Sequence, residues 1–227
     1  KMNQIDWDTY KFRCHMLPDL MTKSRSSDPL SETAKAKLRE VWIEEVYDRR
    51  NYDTKNKYTE KGIECETESL KLIEQVTGKA YFKNKKEFSN DFIKGTPDVK
   101  DDLIDVKNSW SIHTFMETDE KKALKSYYWQ LLGYMWLIDK TTAQIIFTLV
   151  NTPEEIMNNE LMRLAYKMPE IDRSEQVLEQ VKKNFIFDDI DPELRMKAFL
   201  ITRKDEDIEL LGKQIVFARE YMKGLSL

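Results

Sequence analysis

Asp105 and Lys107 lie two positions apart in an apolar run covering residues 103–110. Alternate residues of a strand share a face, so this acid and this lysine project together while Ile104 and Val106 point the other way. The turn Gly95-Thr96-Pro97 precedes them and ends in a second acid, Asp98, which can approach Asp105. Two carboxylates with a lysine alongside make a hard-oxygen site suited to Mg²⁺, with the ammonium placed to orient water or to stabilise charge on a phosphate. Phosphodiester hydrolysis needs these parts. In a chain that is 34% charged, an acid-x-lysine triplet also recurs on solvated strand faces. The weight here rests on the flanking turn, the apolar strand and one further carboxylate.

That carboxylate is Glu66. A helix is expected over residues 58–76, closed by Gly78, with an apolar stripe of Ile63, Leu70, Ile73 and Val76. Glu66 falls three positions after Ile63 and four before Leu70, on the inward side of that stripe. An unpaired inward carboxylate is costly unless it meets a cation or hydrogen-bond donors. The alternative is a place at the stripe's edge, with the carboxylate reaching water.

The elements around these residues read as an α/β fold. Ser31 caps a helix running to Tyr47, with Ala34, Leu38, Val41 and Trp42 at helical spacing. Strands are expected at 80–83, 88–94, 103–110 and 143–150, with a helix at 119–138 between the third and the fourth. The order helix, three strands, helix, strand implies a mixed central sheet flanked by helices. Beyond Pro153 come helices at 153–166 and 174–184, an edge strand at 195–202 and a last helix at 205–222. The acids of that last helix lie early and its cations late, as the helix dipole favours. A single domain is expected: a helical lead at 1–57, a catalytic core at 58–151 and a C-terminal helical extension at 152–227.

Composition narrows the function classes. With 41% hydrophobic and 11% aromatic residues, six glycines and six prolines, the chain is globular rather than disordered or collagen-like. The net charge of −4 excludes a protein that coats nucleic acid by bulk electrostatics, so any such contact is local. Cys14, Cys65, His15 and His113 are the only cysteines and histidines, too few and too scattered for structural zinc or a disulfide framework. Residues 1–4 lack the apolar run of a signal peptide, and no stretch is apolar enough to span a bilayer, so a cytoplasmic protein without membrane contact is expected.

Taken together, Pro97-Asp98 and Asp105-Val106-Lys107 with an upstream helical glutamate resemble the PD-(D/E)XK nuclease superfamily, whose core has the same helix, three strands, helix, strand order. Lys61-Gly62-Ile63-Glu64-Cys65-Glu66 is similar to the Gly-x-x-x-Glu helix motif of the phage lambda exonuclease and YqaJ-type recombinases. Gly95-Thr96-Pro97-Asp98 resembles their Ser-Pro-Asp-Gly turn, and the segment around Gln130 their glutamine-containing helix. Asp105 stands where that family commonly has Glu, and Val99 where it has Gly. His15 falls where the family has a serine that helps to hold a terminal phosphate.

The resemblance implies Asp98, Asp105 and the Val106 carbonyl as Mg²⁺ ligands, with Glu66 a direct or water-mediated one and Mn²⁺ a substitute ion. It implies Lys107 as the residue that positions or deprotonates water, with Gln130 assisting. Arg13, His15, Lys94, Lys121 and Lys125 are candidates for DNA contact, and Trp110, Phe115 and Trp129 for base stacking. The implied activity is a Mg²⁺-dependent 5′–3′ exonuclease of phage-type recombination acting on duplex DNA ends, as a trimeric ring with a single-strand annealing partner. An endonuclease, a single-strand or branched-DNA nuclease, and a non-catalytic DNA-binding recombination protein are the competing readings.

Overall fold

The computed structural model describes residues 3–50, 57–167 and 175–227. A two-residue strand, β1 (Phe12–Arg13), leads through a 3₁₀ turn at Cys14–Met16 into the short helix α1 (Leu17–Leu20). Helix α2 (Glu32–Tyr47) starts where expected, with the Ser31 side chain accepting from Ala34 N, a cap that contributes about 1 kcal/mol.

The single helix expected at 58–76 is two helices, α3 (Lys57–Glu64) and α4 (Glu66–Thr77). The chain leaves helical geometry at Cys65, with φ −89° and ψ 1°. The buried face is not the expected stripe. Ile63 is 70% exposed, while Lys61, Cys65, Ser69, Leu72 and Ile73 are buried. Gly78 closes α4 at φ 71°, as its sequence position predicts.

No strand forms at 80–83. Lys79 and Lys83 are drawn off into ion pairs with Asp102 and Glu66, and Tyr81 leans on the apolar cluster behind the site. The run at 88–94 folds back on itself as β2 (Phe88–Ser89) and β3 (Ile93–Gly95), paired antiparallel. Asn90 makes the turn, its Oδ1 accepting from both Phe92 N and Ile93 N at 2.9 Å, the local competition that asparagine brings to a strand.

Next come β4 (Ile104–Asn108), α5 (Ile112–Met116), α6 (Glu120–Ile138) and β5 (Thr142–Thr148). Asp119 caps α6, accepting from Lys122 N at 2.7 Å. The 19-residue helix α6 is the crossover that lets β4 and β5 run parallel. Then follow α7 (Glu154–Lys167), α8 (Glu175–Lys182), β6 (Met196–Thr202) and α9 (Asp205–Lys223). Ser174, the expected start of α8, and the polar stretch 51–56 lie outside the described residues.

The strands of the described residues form two mixed sheets of three, ordered β1-β3-β2 and β4-β5-β6. The first is short because Pro97, which has no N–H to donate, follows β3 closely. β1, parallel to β3, is too brief to show any periodicity. In the second sheet β6 runs antiparallel to β5, as the alternating edge-strand pattern implied. Ile104, Val106 and Ile146 pack with Ile73 of α4, while Ile145 and Ile201 join the main cluster with Leu131, Leu132 and Met135 of α6. Each such fully buried side chain contributes roughly 1.5–3 kcal/mol.

Two glycines set how near α6 can come. A Cβ on Gly133 would lie 2.7 Å from Leu17 Cδ1, and one on Gly95 would lie 2.7 Å from Tyr134 Cε1 and 2.8 Å from Cys14 Sγ. With both absent, α6 packs directly on β3 and the Cys14 turn, and this brings Gln130 down onto β4.

Candidate active site

The strand period delivers Asp105 and Lys107 to the same side of β4, as their spacing requires. Asp105 is 2% exposed, and Lys107 Nζ lies 2.7 Å from its Oδ2. The other oxygen, Oδ1, accepts from Gln130 Nε2 at 2.9 Å, and the same amide nitrogen reaches Tyr134 Oη at 3.3 Å. The Lys107 ammonium also lies 5.0 Å from the centre of the Tyr127 ring, a favourable cation–π placement. Burial pulls the Lys107 ammonium down, but Asp105 and then Asp98 outweigh it and hold it above the ordinary lysine value. Lys107 is therefore a cation.

Asp98 reaches β4 from its preceding turn. Its Oδ2 accepts from Val106 N at 2.7 Å, and its own carbonyl accepts from Asn84 N at 2.7 Å. Burial, then the Asp105 charge, drive its carboxyl well above the ordinary aspartate value, against the lowering pull of Val106 N–H and Lys107. Glu66 adds to the rise, so all three acids share one field.

Glu66 itself opens α4, where the positive end of the helix dipole favours an acid. Its side chain is 17% exposed and pairs with Lys83, and its Oε1 is buried without a hydrogen-bond partner. The inward placement expected of it holds, although Ile63 is not the neighbour that explains it. Ile63, Glu66, Asp98, Val106, Lys107 and Trp110 instead line one open cleft of about 590 Å³.

Among the described residues, no three His, Cys, Asp or Glu side chains are gathered tightly enough to hold a metal ion as they stand. Glu66 takes Lys83 as its partner and Asp98 takes the Val106 amide. The donor set nevertheless fits a hard divalent cation. Burial and the neighbouring charges of Asp105 and Glu66 make Asp98 costly to ionise, and the buried Glu66 Oε1 carries no donor. An oxygen-seeking ion satisfies that kind of deficit.

The expected DNA-contacting residues divide. Arg13 and Lys94 are register partners on β1 and β3. Partial burial, then the cations Arg13, Lys37 and Lys107, hold the His15 imidazole below its ordinary value, so its uncharged form is favoured beside those cations. Lys121 and Lys125 are exposed at the start of α6, and Lys125 lines a separate hollow with Trp129 and Leu200. Of the aromatic candidates, Trp110 lines the cleft, its ring edge-on to Tyr58 at 5.3 Å, whereas Phe115 is core.

Sequence reasoning missed Tyr58 as a wall of the cleft, and with it Lys61, Ser69, Asn108 and Thr148 behind the cleft. Ser69 Oγ donates to Asn108 Oδ1 at 2.7 Å and lies 2.9 Å from Thr148 Oγ1. The one available signal was the run of polar residues, Asn108 and Ser109, directly after Lys107.

No family model matches the chain, and no curated protein does. Solved structures do. A phage-related exonuclease from Haemophilus somnus 129PT is similar at a TM-score of 0.74 and 28% identity over 94% of each chain. The alkaline exonuclease LHK-Exo from Laribacter hongkongensis is similar at a TM-score of 0.63 and 14% identity, over 96% of this chain and 91% of that one. Its complex with dAMP gives a TM-score of 0.58 over 94% and 88%.

Proposed function

For a chain that has the fold of the PD-(D/E)XK exonucleases, we propose a metal-dependent deoxyribonuclease that degrades duplex DNA from its ends, most simply in the 5′–3′ direction. The observation that carries the reading is the contact set Gln130–Asp105–Lys107, whose Lys107 lines an open cleft with Asp98 and Glu66. Asp98, Asp105, the Val106 carbonyl and Glu66 are the residues that would hold Mg²⁺, or Mn²⁺ in its place. The chemistry supplied by the bound ion is Lewis-acid polarisation of the phosphodiester.

The chain's own residues do the rest. Lys107, kept cationic by Asp105, orients the attacking water and offsets charge that develops on the phosphate. Gln130 fixes the rotation of the Asp105 carboxylate and so the place of Lys107. Arg13 and Lys94 form the electropositive ground on which a strand's phosphates rest, with His15 beside them as an uncharged hydrogen-bond donor. Lys121 and Lys125 extend that contact along α6. A ring-shaped homo-oligomer, trimeric as the resemblance implies, and a strand-annealing partner in recombination belong to the same reading.

The test is incubation with linear and with closed-circular duplex DNA, end-labelled on the 5′ or the 3′ side, with Mg²⁺ and with EDTA. Loss of linear DNA alone, in Mg²⁺ alone, with mononucleotides released from the 5′ end, is the expected result. Cutting of circles converts the reading to an endonuclease. Binding without cleavage by a folded chain, in Mg²⁺ and in Mn²⁺, converts it to a DNA-binding protein that keeps the fold.

A further inference from the structure

Lys61 is 1% exposed, in the middle of α3, where an apolar side chain would pack without electrostatic cost. Burying an ammonium is expensive unless its N–H groups are satisfied. Here Nζ donates to the carbonyl of Ser109 at 2.9 Å and to that of Trp110 at 3.4 Å. The rings of Phe187 and Trp110 lie 5.3 and 5.9 Å from it. Ser109 and Trp110 directly follow β4, the strand that carries Asp105 and Lys107.

A second buried polar contact ties the other helix to the same strand. Ser69 on α4 is fully buried and donates to Asn108 Oδ1 at 2.7 Å, with Thr148 Oγ1 closing the group at 3.0 Å from Asn108 Oδ1. Glu66 stands between Lys61 and Ser69 in sequence, beside the Cys65 break where α3 gives way to α4. Apolar packing of Cys65, Leu72 and Ile73 seats α4, but Lys61 is the one buried residue of α3, so polar contact holds the segment before the break. The two polar ties thus act on either side of Glu66.

We propose that Lys61, seconded by Ser69, is a positioning residue: it clamps the end of β4 to α3 and thereby sets Glu66 against Asp98 and Asp105 as a divalent-cation ligand. This rests on the reading of Glu66 as a metal ligand. Groups that orient a ligand from behind typically carry a tenfold to hundredfold effect on metal affinity.

The experiment measures Mg²⁺ binding to the DNA-free chain by calorimetry, for wild type, Lys61→Met, Ser69→Ala, Glu66→Gln and the double variant Lys61→Met/Glu66→Gln. Expected are a Mg²⁺ affinity about 10- to 100-fold weaker for Lys61→Met, a smaller loss for Ser69→Ala, and unchanged DNA affinity in EDTA. The double variant should bind no more weakly than Glu66→Gln, since a clamp acting through Glu66 has nothing left to lose. Ser69→Ala carries the test if Lys61→Met does not fold. Wild-type Mg²⁺ affinity in folded variants overturns the clamp, as do additive losses in the double variant or a wild-type chain that binds no Mg²⁺. A wild type that binds Mg²⁺ but cleaves no DNA tells against the nuclease reading only, and the calorimetry then still decides the clamp.

Discussion

Gln130 Nε2 lies 2.9 Å from Asp105 Oδ1, on the opposite side of the carboxylate from the oxygen that faces Lys107. A helix amide thus locks the rotation of a buried strand acid, and the acid locks a lysine. Gln130→Ala removes the lock without adding charge. We expect the fold to persist and kcat to fall about 10- to 100-fold, the usual effect of losing a group that orients a ligand, with little change in KM. Gln130→Glu sets a second carboxylate against Asp105 and should be slower still. Steady-state cleavage of an end-labelled duplex measures both.

Lys107 answers to charge rather than to shape. Asp105 and then Asp98 hold its ammonium above the ordinary lysine value against the effect of burial, so it does not act as a free base at neutral pH. Lys107→Met should abolish cleavage to the assay floor and leave DNA binding in EDTA within about threefold, one screened phosphate contact being the most it can remove. Lys107→Arg restores the charge but not the compact ammonium. Partial recovery is expected, well below wild type. A filter-binding assay beside the cleavage assay separates the two effects.

Asp98 faces the like charges of Asp105 and Glu66, and its carboxyl is driven up first by burial and then by Asp105. Neutralising it should relieve the fold while removing a ligand. Asp98→Asn is expected to raise the thermal midpoint measured in EDTA, to lose the further rise that Mg²⁺ gives the wild type, and to abolish cleavage. A lowered midpoint in EDTA would mean that the hydrogen bond to Val106 N matters more than the repulsion. Scanning calorimetry with and without Mg²⁺ distinguishes the two.

The same balance explains what was legible in the sequence. Chemistry that depends on strand period or on a turn was open to reading: Asp105 with Lys107, the Asp98 turn, and Ser31 as a cap. Period and capping are local, and those elements formed where expected. What failed was decided by tertiary contacts. Ile63 looked like core and is 70% exposed, while Lys61, outside the expected stripe, is 1% exposed. The buried face runs through Lys61, Cys65, Ser69, Leu72 and Ile73, and with a lysine and a serine in it no pattern of apolar residues records it. Likewise residues 80–83 have a strand's composition, but Lys79 and Lys83 have ion-pair partners elsewhere. β1 is two residues long and owes its pairing entirely to β3.

Lys61 also gives the fold a pH signature independent of catalysis. Burial lowers its ammonium from 10.5 to about 8, while the unfolded chain keeps the ordinary value. Between those two pH values the unfolded state binds more protons than the folded one, so stability rises with pH through that window. Below about pH 8 the charge is buried at full cost and this contribution is flat. In urea melts Lys61 should therefore contribute a gain of about 1.5 kcal/mol between pH 8 and pH 9.5, read as wild type minus Lys61→Met because the buried thiols Cys14 and Cys65, both raised by burial, titrate in the same window with the opposite sign. In Lys61→Met the gain should vanish and stability at pH 7 should equal or exceed that of the wild type, since an apolar side chain meets no desolvation there. A difference between wild type and variant that stays flat over that range would place the titrating group elsewhere.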